Sequence, residues 1–235
     1  MPPAVSGTVR TLWRYPVKSM RGVRCEHLTL NARGVEGDRL YAIRDADGKF
    51  GSGKSTRRFR RIDGLFEFVA VYDGEIPVVT FPDGRRMRGD EPAIHAALSE
   101  VLGQPVTLAR EAGISHLDAG PVHLLTTASL AWLADRLPQT TLDERRFRPN
   151  VLIGAQGARL LELDWLGRTL AIGTVRLAVR EPSERCVMVN FAQGELPHDA
   201  SVLRTLAEAA GSDFGVYVDV VVPGPISVGD DVAVF

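Results

Sequence analysis

From Thr8 to Phe81 every apolar or alternating run is cut by turn residues after about the length of one strand. The runs are "TVRTLWRY", "CEHLTL", "RLYAIR", "LFEFVAVY" and "VVTF", and between them lie "NARGVEG", "DADG", "RIDG" and "YDGEIP". Runs of this length and spacing predict strands joined by tight turns. The same signal returns later in "NVLIG", "TLAIG", "TVRLAVRE", "CVMVNF", "VYVDVVV" and "DVAVF". Only three segments read as helices. "DEPAIHAALSEVLG" has Asp90 as a cap, Pro92 in its first turn and Gly103 as its stop. "TASLAWLADRL" has Thr127 or Ser129 as its cap, and "HDASVLRTLAEAAG" closes at Gly211. Because neighbouring strands are mostly linked by short turns, without alternating crossover helices, the expected fold is α+β. It consists mainly of antiparallel, barrel-like sheets with a few helices. "LAIGTVRLAV" and "GPISVGDDVAVF" share a Gly-centred strand pair that reads as a barrel corner. Gly113, Gly120 and Pro121 in "EAGISHLDAGP" divide the chain into an expected first domain, 1–112, and a second, 113–235.

Composition narrows the function classes. With 235 residues, 45 % of them hydrophobic, the chain can bury a substantial core. A net charge of −1 from 28 basic and 29 acidic residues steers it toward neither nucleic acid nor an acidic membrane surface. Any basic site must therefore be local. The start, "MPPAVSGTVRTLWRYPVK", lacks a continuous apolar segment, and "FGVYVDVVVPGPI" is interrupted by Asp219, Pro223 and Pro225, so neither export nor membrane anchoring is implied. Two cysteines, Cys25 and Cys186, are too few for a disulfide framework, a four-cysteine zinc site or an iron–sulfur cluster held by this chain alone. A reducing cytoplasm is the expected location.

One stretch resembles a nucleotide-binding loop. "GKFGSGKST", Gly48–Thr56, satisfies G-x-x-x-x-G-K-[ST] through Gly53, Lys54 and Ser55. Such a loop works by following a buried strand and opening a helix whose first N–H groups face the phosphates. Here "RDADG" before it is a hairpin signal, and "STRRFRRIDG" after it offers only Phe59 and Ile62 as apolar positions before Gly64. A magnesium-binding carboxylate at Asp73 would require a crossover shorter than parallel strands need. The expectation is an exposed loop or irregular strand connection, with Lys54 cradling no nucleotide phosphate.

Cys186 stands apart in "EPSERCVMVNF", beside Arg185, after a Pro-containing loop and at the start of an expected strand. Positive charge there favours the thiolate that attacks carbon or ligates metal, against the alternative of a small buried hydrophobe. Cys25, in an alternating strand, is assigned to packing. His27, His95, His116, His123 and His198 show no metal-ligand spacing, and no Gly-x-Ser-x-Gly elbow suggests an acyl hydrolase. Arg57, Arg58, Arg60 and Arg61 form a short basic run, consistent with an anion-accepting rim or a partner-docking face.

Six segments in order, "LWRYPVKSMRG", "GVEGDRLYAI", "VHLLTTASLAWL", "RFRPNVLIG", "SERCVM" and "FGVYVDVVVPGPISVGDDV", together resemble the MOSC family, the molybdenum-cofactor-sulfurase C-terminal domain. Here it is preceded by that family's N-terminal β-barrel domain, as in amidoxime-reducing components. The resemblance implies a molybdenum cofactor, a pyranopterin with a terminal phosphate and dithiolene sulfurs, whose metal takes a further thiolate. Cys186 matches that ligand and is the implied catalytic residue. Lys18, Ser19, Arg39, Arg148 and Asn150 match phosphate-binding positions, with Thr127 and Ser129 as added donors. Ser183, Arg185 and Tyr217 resemble positions lining the cofactor. For Lys18, Arg39 and Arg148 the residues alone leave open a plain role as solvated or ion-paired surface charges.

The implied function is a molybdenum-dependent oxidoreductase reducing small N-hydroxylated compounds, with electrons from a separate donor protein. The alternative is a non-catalytic carrier of cofactor or sulfur, with a persulfide on Cys186. A P-loop hydrolase is the minor alternative. Lys18, Arg39, Arg148 and Cys186 are expected to converge on one cleft between the two halves.

Overall fold

The computed structural model describes residues 5–235. Its largest unit is a closed barrel of seven strands, mostly antiparallel as expected. In spatial order these are Val151–Gly154, Val122–Thr126, Asp213–Val222, Val175–Glu184, Thr169–Ile172, Asp231–Val234 and Val5–Arg14. Val5–Arg14 pairs back onto Val151–Gly154 and closes the ring. All neighbours are antiparallel except Val122–Thr126 with Val151–Gly154. That parallel pair is joined through a crossover containing helix α2 (Thr127–Ala134), as a parallel connection requires.

The expected boundary at 112/113 does not follow the packing. The first strand, Val5–Arg14, completes a barrel otherwise made by residues after 121, and His27–Asn31 pairs with Gly224–Ser227. Val9, Leu12, Leu28, Leu30 and Val35 accordingly sit in the same core as Leu124, Val151, Leu177 and Val218. The intervening chain has its own core of Val17, Met20, Ile43, Phe68, Val79 and Leu98. This second core lies under two small sheets and α1 (Ile94–Leu102). One sheet has the order Arg86–Arg88, Ile76–Thr80, Val69–Asp73, and the other Val106–Arg110, Tyr41–Asp45, Phe50–Ser52, Phe59–Arg61. α3 (Ser201–Ala210) packs on the outside of the barrel through Val202 and Leu206, with Phe147 and Phe214 beneath it. No helix among the described residues is long and apolar enough to cross a membrane.

Local differences from the sequence reading have physical causes. "CVMVNF" forms a single 3-10 turn, Val187–Asn190, where a strand was expected. Val189 is drawn into the core beside Leu125 and Phe214, and the Asn190 side chain accepts the Leu203 N–H at 2.9 Å, tying the turn to α3. Asp90 does not cap α1, because its carboxylate is engaged by Arg88. Gly103 does end that helix in the left-handed region (φ 66°), as Gly211 ends α3 (φ 61°). α2 is capped by Thr126, one residue before the expected Thr127, with the Thr126 hydroxyl accepting the Ser129 N–H at 3.1 Å.

The "GKFGSGKST" stretch is only partly the expected loop. Phe50–Ser52 is a buried strand, and the chain then bends through Gly53–Thr56 into the strand Phe59–Arg61, with no helix after Lys54. A phosphate-cradling helix N-terminus is absent from this stretch, which removes the P-loop reading.

If the first strand is integral to the barrel, Leu12→Ala should lower unfolding stability by about 2–5 kcal/mol in denaturant titration, the range for a fully buried leucine. An effect below that of an exposed control, Val222→Ala, would show that the barrel holds without it.

Candidate functional site

Residues 15–18 and 39–41 are zipped by backbone hydrogen bonds: Arg39 N–H to Tyr15 O at 2.6 Å, Tyr41 N–H to Pro16 O at 3.0 Å and Lys18 N–H to Tyr41 O at 2.8 Å. This brings Lys18 and Arg39 together at the seam between the two cores. Tyr15, fully buried, is the hinge of the arrangement. Its hydroxyl donates to Pro149 O at 3.1 Å, and the guanidinium carbons of Arg148 and Arg39 lie 4.2 and 4.7 Å from its ring centroid. Burial pushes the Tyr15 hydroxyl well above its ordinary pKa, so it stays neutral between two cations.

The two arginines are balanced differently. Arg39 is ion-paired with the buried Asp38, which more than offsets its desolvation and holds its pKa above the ordinary range. Arg148 has no carboxylate partner. Its Nη1 donates to Met20 O at 2.7 Å, while Nη2 is buried without any hydrogen-bond partner. Desolvation, reinforced by Arg39, lowers its pKa to about 10. Lys18, 3 % exposed, donates to His116 O at 2.9 Å and to Asp118 at 2.5 Å; burial lowers its pKa against the pull of Asp118.

These groups face one cleft of about 410 Å3, which also takes in Ser19, Asn150, Arg185, Cys186 and Tyr217. Lys18, Arg39 and Arg148 therefore converge with Cys186, though they lie far apart in sequence. Cys186 is half-buried and sits just past the strand Val175–Glu184, at the head of the 3-10 turn, not at a strand start. Beside it, Arg185 is pinned by Nη1 to Ser183 Oγ and Nη2 to Phe147 O, both 2.7 Å, leaving its buried Nε unpartnered. Asn150 lines the cleft, but its amide is largely spent on structure, accepting the His123 N–H at 3.1 Å and donating to Trp13 O at 3.3 Å.

Backbone strain concentrates in the same place. Of the four non-glycine residues with positive φ among those described, three are Ser19 (65°), Arg39 (49°) and Arg148 (55°). Such conformations cost of order 1 kcal/mol or more each and persist where the surroundings impose them. All three line the cleft, and their backbones are held from within, the Arg39 N–H by Tyr15 O and the Arg148 N–H by the Glu144 and Arg145 carbonyls.

Three expected site residues lie elsewhere. Thr127 exchanges hydrogen bonds with Ala155 (2.8 and 2.9 Å), fastening α2 to the barrel. Ser129 and Thr126 both donate to the buried Glu162 carboxylate at 2.6 Å. Ser183 is fully buried and only supports Arg185. Their hydroxyls satisfy interior groups and are not directed at the cleft.

Several cleft residues escaped the sequence reading: Ser52, Lys54, Arg58, Phe59, Asp118, His123 and Met188. Lys54 and Arg58 come from the P-loop-like run and the basic run, so the signal was visible but attached to another chemistry. Of that basic run, Arg60 is engaged by Asp45 and Asp47 and Arg61 by Asp63, leaving Arg58 to reach the cleft. His123 is buried, and desolvation together with Arg185 keeps it neutral far below the usual histidine range. The cleft thus presents Lys18, Arg39, Lys54, Arg58, Arg148 and Arg185 against Asp118, Glu181 and Glu184, an excess of positive charge suited to a phosphate-bearing ligand.

The segment 111–121, which gives Asp118, Ala119 and Gly120 to the cleft lining, is held by charge. Glu111 accepts from Arg33 twice at 2.7 Å and from the His116 N–H at 2.6 Å; the Arg33 bonds outweigh desolvation and lower its pKa to about 2. Lys18 and Arg39 likewise overcome desolvation to hold Asp118 at about 2. Burial lowers His116 to about 4. All three folded-state values lie below their unfolded ones, so the unfolded chain binds more protons and stability falls as pH drops. The His116 contribution is lost between about 6.5 and 4, and those of the carboxylates from about 4 down to 2. Protection factors for the amides of residues 111–121, the intrinsic exchange rate at each pH divided by the observed one, should therefore fall over that range. Glu111→Gln should already show reduced protection at neutral pH and a smaller response below pH 4, with only the Asp118 share left. An unchanged profile in that variant would contradict the assignment.

Comparison with known proteins now adds the lineage. Residues 90–233 match the family described as MOSC domain, and residues 6–102 match the MOSC N-terminal beta barrel domain. No curated protein matches the sequence. Among solved structures, the YUAD protein from Bacillus subtilis is similar over 97 % of this chain and 94 % of that one, with a TM-score of 0.53 and 13 % identity. YiiM from Escherichia coli aligns over 100 % of this chain and 70 % of that one (TM-score 0.47, 12 % identity). YiiM from Geobacillus stearothermophilus aligns over 49 % and 54 % (TM-score 0.39, 19 % identity).

Proposed function

Because this chain belongs to the MOSC domain family, a family linked to molybdenum cofactor binding, we propose that its cleft holds the molybdenum cofactor and reduces small N-hydroxylated compounds with electrons from a separate protein. The observation that carries this reading is the meeting, in one cofactor-sized cleft, of a half-buried thiol with a buried guanidinium that has a free donor. A buried polar group without a partner is costly, of order 1–3 kcal/mol, and Arg148 Nη2 has a reason to persist if an anion completes it.

The residues present fit such a group. Lys18, Arg39 and Arg148 would hold the phosphate, with the positive-φ backbone at Ser19, Arg39 and Arg148 shaping the cradle. Cys186 would offer its thiolate to the metal, a soft ligand for a sulfur-bound centre. Arg185, locked by Ser183 and Phe147, would keep a positive charge in the same cleft. Tyr217 and neutral His123, tilted against each other at 5.6 Å, form an aromatic wall suited to a flat heterocycle. When bound, the cofactor would supply two-electron oxygen-transfer chemistry. The chain's own part is to anchor, orient and enclose.

Protein from a cofactor-competent host should carry molybdenum by elemental analysis and reduce an N-hydroxylated compound with an artificial electron donor. Cys186→Ser should abolish turnover while keeping the fold and part of the cofactor, because the phosphate anchors remain. Arg148→Lys, which keeps the charge but loses the planar fork, should retain less cofactor than wild type. Arg148→Ala should lose more, about 1.5–3 kcal/mol of affinity. Wild-type turnover in Cys186→Ser with molybdenum intact would refute the thiolate role, and molybdenum without any reduction would favour a carrier.

A further inference from the structure

One wall of the cleft gathers cations around a single ring. The Lys18 and Lys54 ammonium groups lie 5.3 and 5.5 Å from the Phe59 ring centroid, the Arg58 guanidinium carbon lies 5.5 Å from it, and all four residues line the cleft. Like charges held this close repel one another. Burial is the main cause of the lowered Lys18 pKa, and the Arg58 charge lowers it further. An aromatic ring returns about 0.5–1 kcal/mol to a partly exposed cation, which does not neutralise three of them.

The three are answered unequally. Lys18 is paired with Asp118. Arg58 is spent in part: its Nη2 donates to the Ser115 carbonyl and to Leu117 O at 3.0 Å, while its Nε is buried without a partner. Lys54 is half-buried and, among the described residues, has neither a carboxylate nor a carbonyl partner, so the Phe59 ring is what its ammonium meets. Two positive charges on this wall are therefore not ion-paired by the chain itself.

The bend that carries them is fixed, which lowers the entropic cost of binding there. The Thr56 N–H donates to Phe59 O at 2.9 Å, Thr56 Oγ1 accepts the Arg58 and Phe59 N–H groups at 3.2 and 3.1 Å, and Ser55 Oγ accepts the Arg61 N–H at 3.1 Å. The hydroxyls that a nucleotide-binding loop would turn to magnesium are thus used within the bend. On its other side Ser52 Oγ donates to Met188 Sδ at 3.4 Å, two residues beyond Cys186. A Cβ on Gly53 would stand 2.1 Å from the Phe191 ring, so the glycine permits the bend to pack against the turn that follows the thiol. The P-loop-like run therefore presents charge to the cleft through side chains, without a helix N-terminus.

We propose that Lys54 and Arg58, beside the Phe59 ring, form a second oxyanion subsite of the cleft, which takes a carboxylate or phosphate carried by the substrate while Lys18, Arg39 and Arg148 hold the cofactor. Assignment to the substrate rests on the functional reading above, but the subsite is tested without turnover. The probe is inorganic phosphate at low ionic strength, followed by 1H–15N NMR shifts of amides and side chains, in protein from a host unable to make molybdopterin and in cofactor-loaded protein. Without cofactor, phosphate should shift two groups of signals with separate affinities, one at residues 54–59 and one around Arg148. In loaded protein the first response should remain and the second disappear. Lys54→Ala should weaken phosphate at the 54–59 signals by about ten-fold, and Lys54→Arg should restore most of that loss. Melting temperature should stay unchanged in both, since the ammonium supports no hydrogen bond of the fold. Arg57→Ala, exposed and outside the cleft lining, should alter the response by less than about two-fold. No response at 54–59, or equal losses in Lys54→Ala and Arg57→Ala, would reduce the effect to diffuse attraction and overturn the subsite. A 54–59 response that vanishes on cofactor loading would assign the subsite to the cofactor and overturn the substrate role. A 54–59 response in a protein that takes up no molybdenum in a cofactor-competent host would uphold the subsite and reject the functional reading.

Discussion

Two guanidinium groups buried around one tyrosine ring hold this molecule's functional region together. Arg39 and Arg148 approach Tyr15 from different parts of the chain, and burying two like charges so near each other is expensive unless each is compensated. Asp38 compensates Arg39, and the Tyr15 N–H in turn donates to Asp38 at 2.8 Å. Arg148 is compensated by a carbonyl and two aromatic faces. Asp118 and Asp38 favour the Arg148 charge without an ion pair to it, so Nη2 stays a buried donor with no partner, the feature on which the proposed anion site rests.

That cluster can exist only because the barrel is closed by the chain's first strand. Val5–Arg14 runs between Val151–Gly154 and Asp231–Val234 and delivers Tyr15 to the seam, directly under the loop that carries Arg148. The thiol arrives from the opposite direction, at the end of the long strand Val175–Glu184. The barrel therefore sets the distance between anchor and thiol, and the smaller sheets supply Lys18, Lys54, Arg58 and Phe59 along the other wall. Strain at Ser19, Arg39 and Arg148 is tolerated because each is fixed by backbone or side-chain bonds to a rigid neighbour.

Charge elsewhere is used for anchoring. The buried Arg146 donates only to carbonyls, those of Thr141, Val189 and Pro197, and so fixes the loop before Arg148 to the turn after Cys186. Two arginines two positions apart in "RFRPN" thus divide the work: Arg146 holds the scaffold, and Arg148 faces the cleft. At the same seam Gly53 lets the Phe191 ring approach, and the Arg148 guanidinium lies 5.3 Å from the Phe66 ring centroid.

Strand-and-turn punctuation was enough to determine a β-rich α+β fold, three helices and the glycine stops of two of them, because these depend on local periodicity and backbone freedom. The ordered motifs also determined Lys18, Arg39, Arg148 and Cys186 as residues to watch. Other features were decided only in three dimensions. Whether "CVMVNF" became a strand turned on the burial of Val189 and the Asn190–α3 contact, neither of which its alternating pattern contains. Thr127 and Ser129 carry suitable hydroxyls, yet Ala155 and Glu162 claim them from 28 and 33 residues away. Conversely, Lys54 and His123 gained their place through folding, one on a bend after a buried strand and the other on a barrel strand facing Tyr217. A sequence specifies which groups can donate, accept or carry charge. Which of them remain unsatisfied is decided by long-range packing, because a donor is free for a ligand only when no distant part of the same chain has already met it.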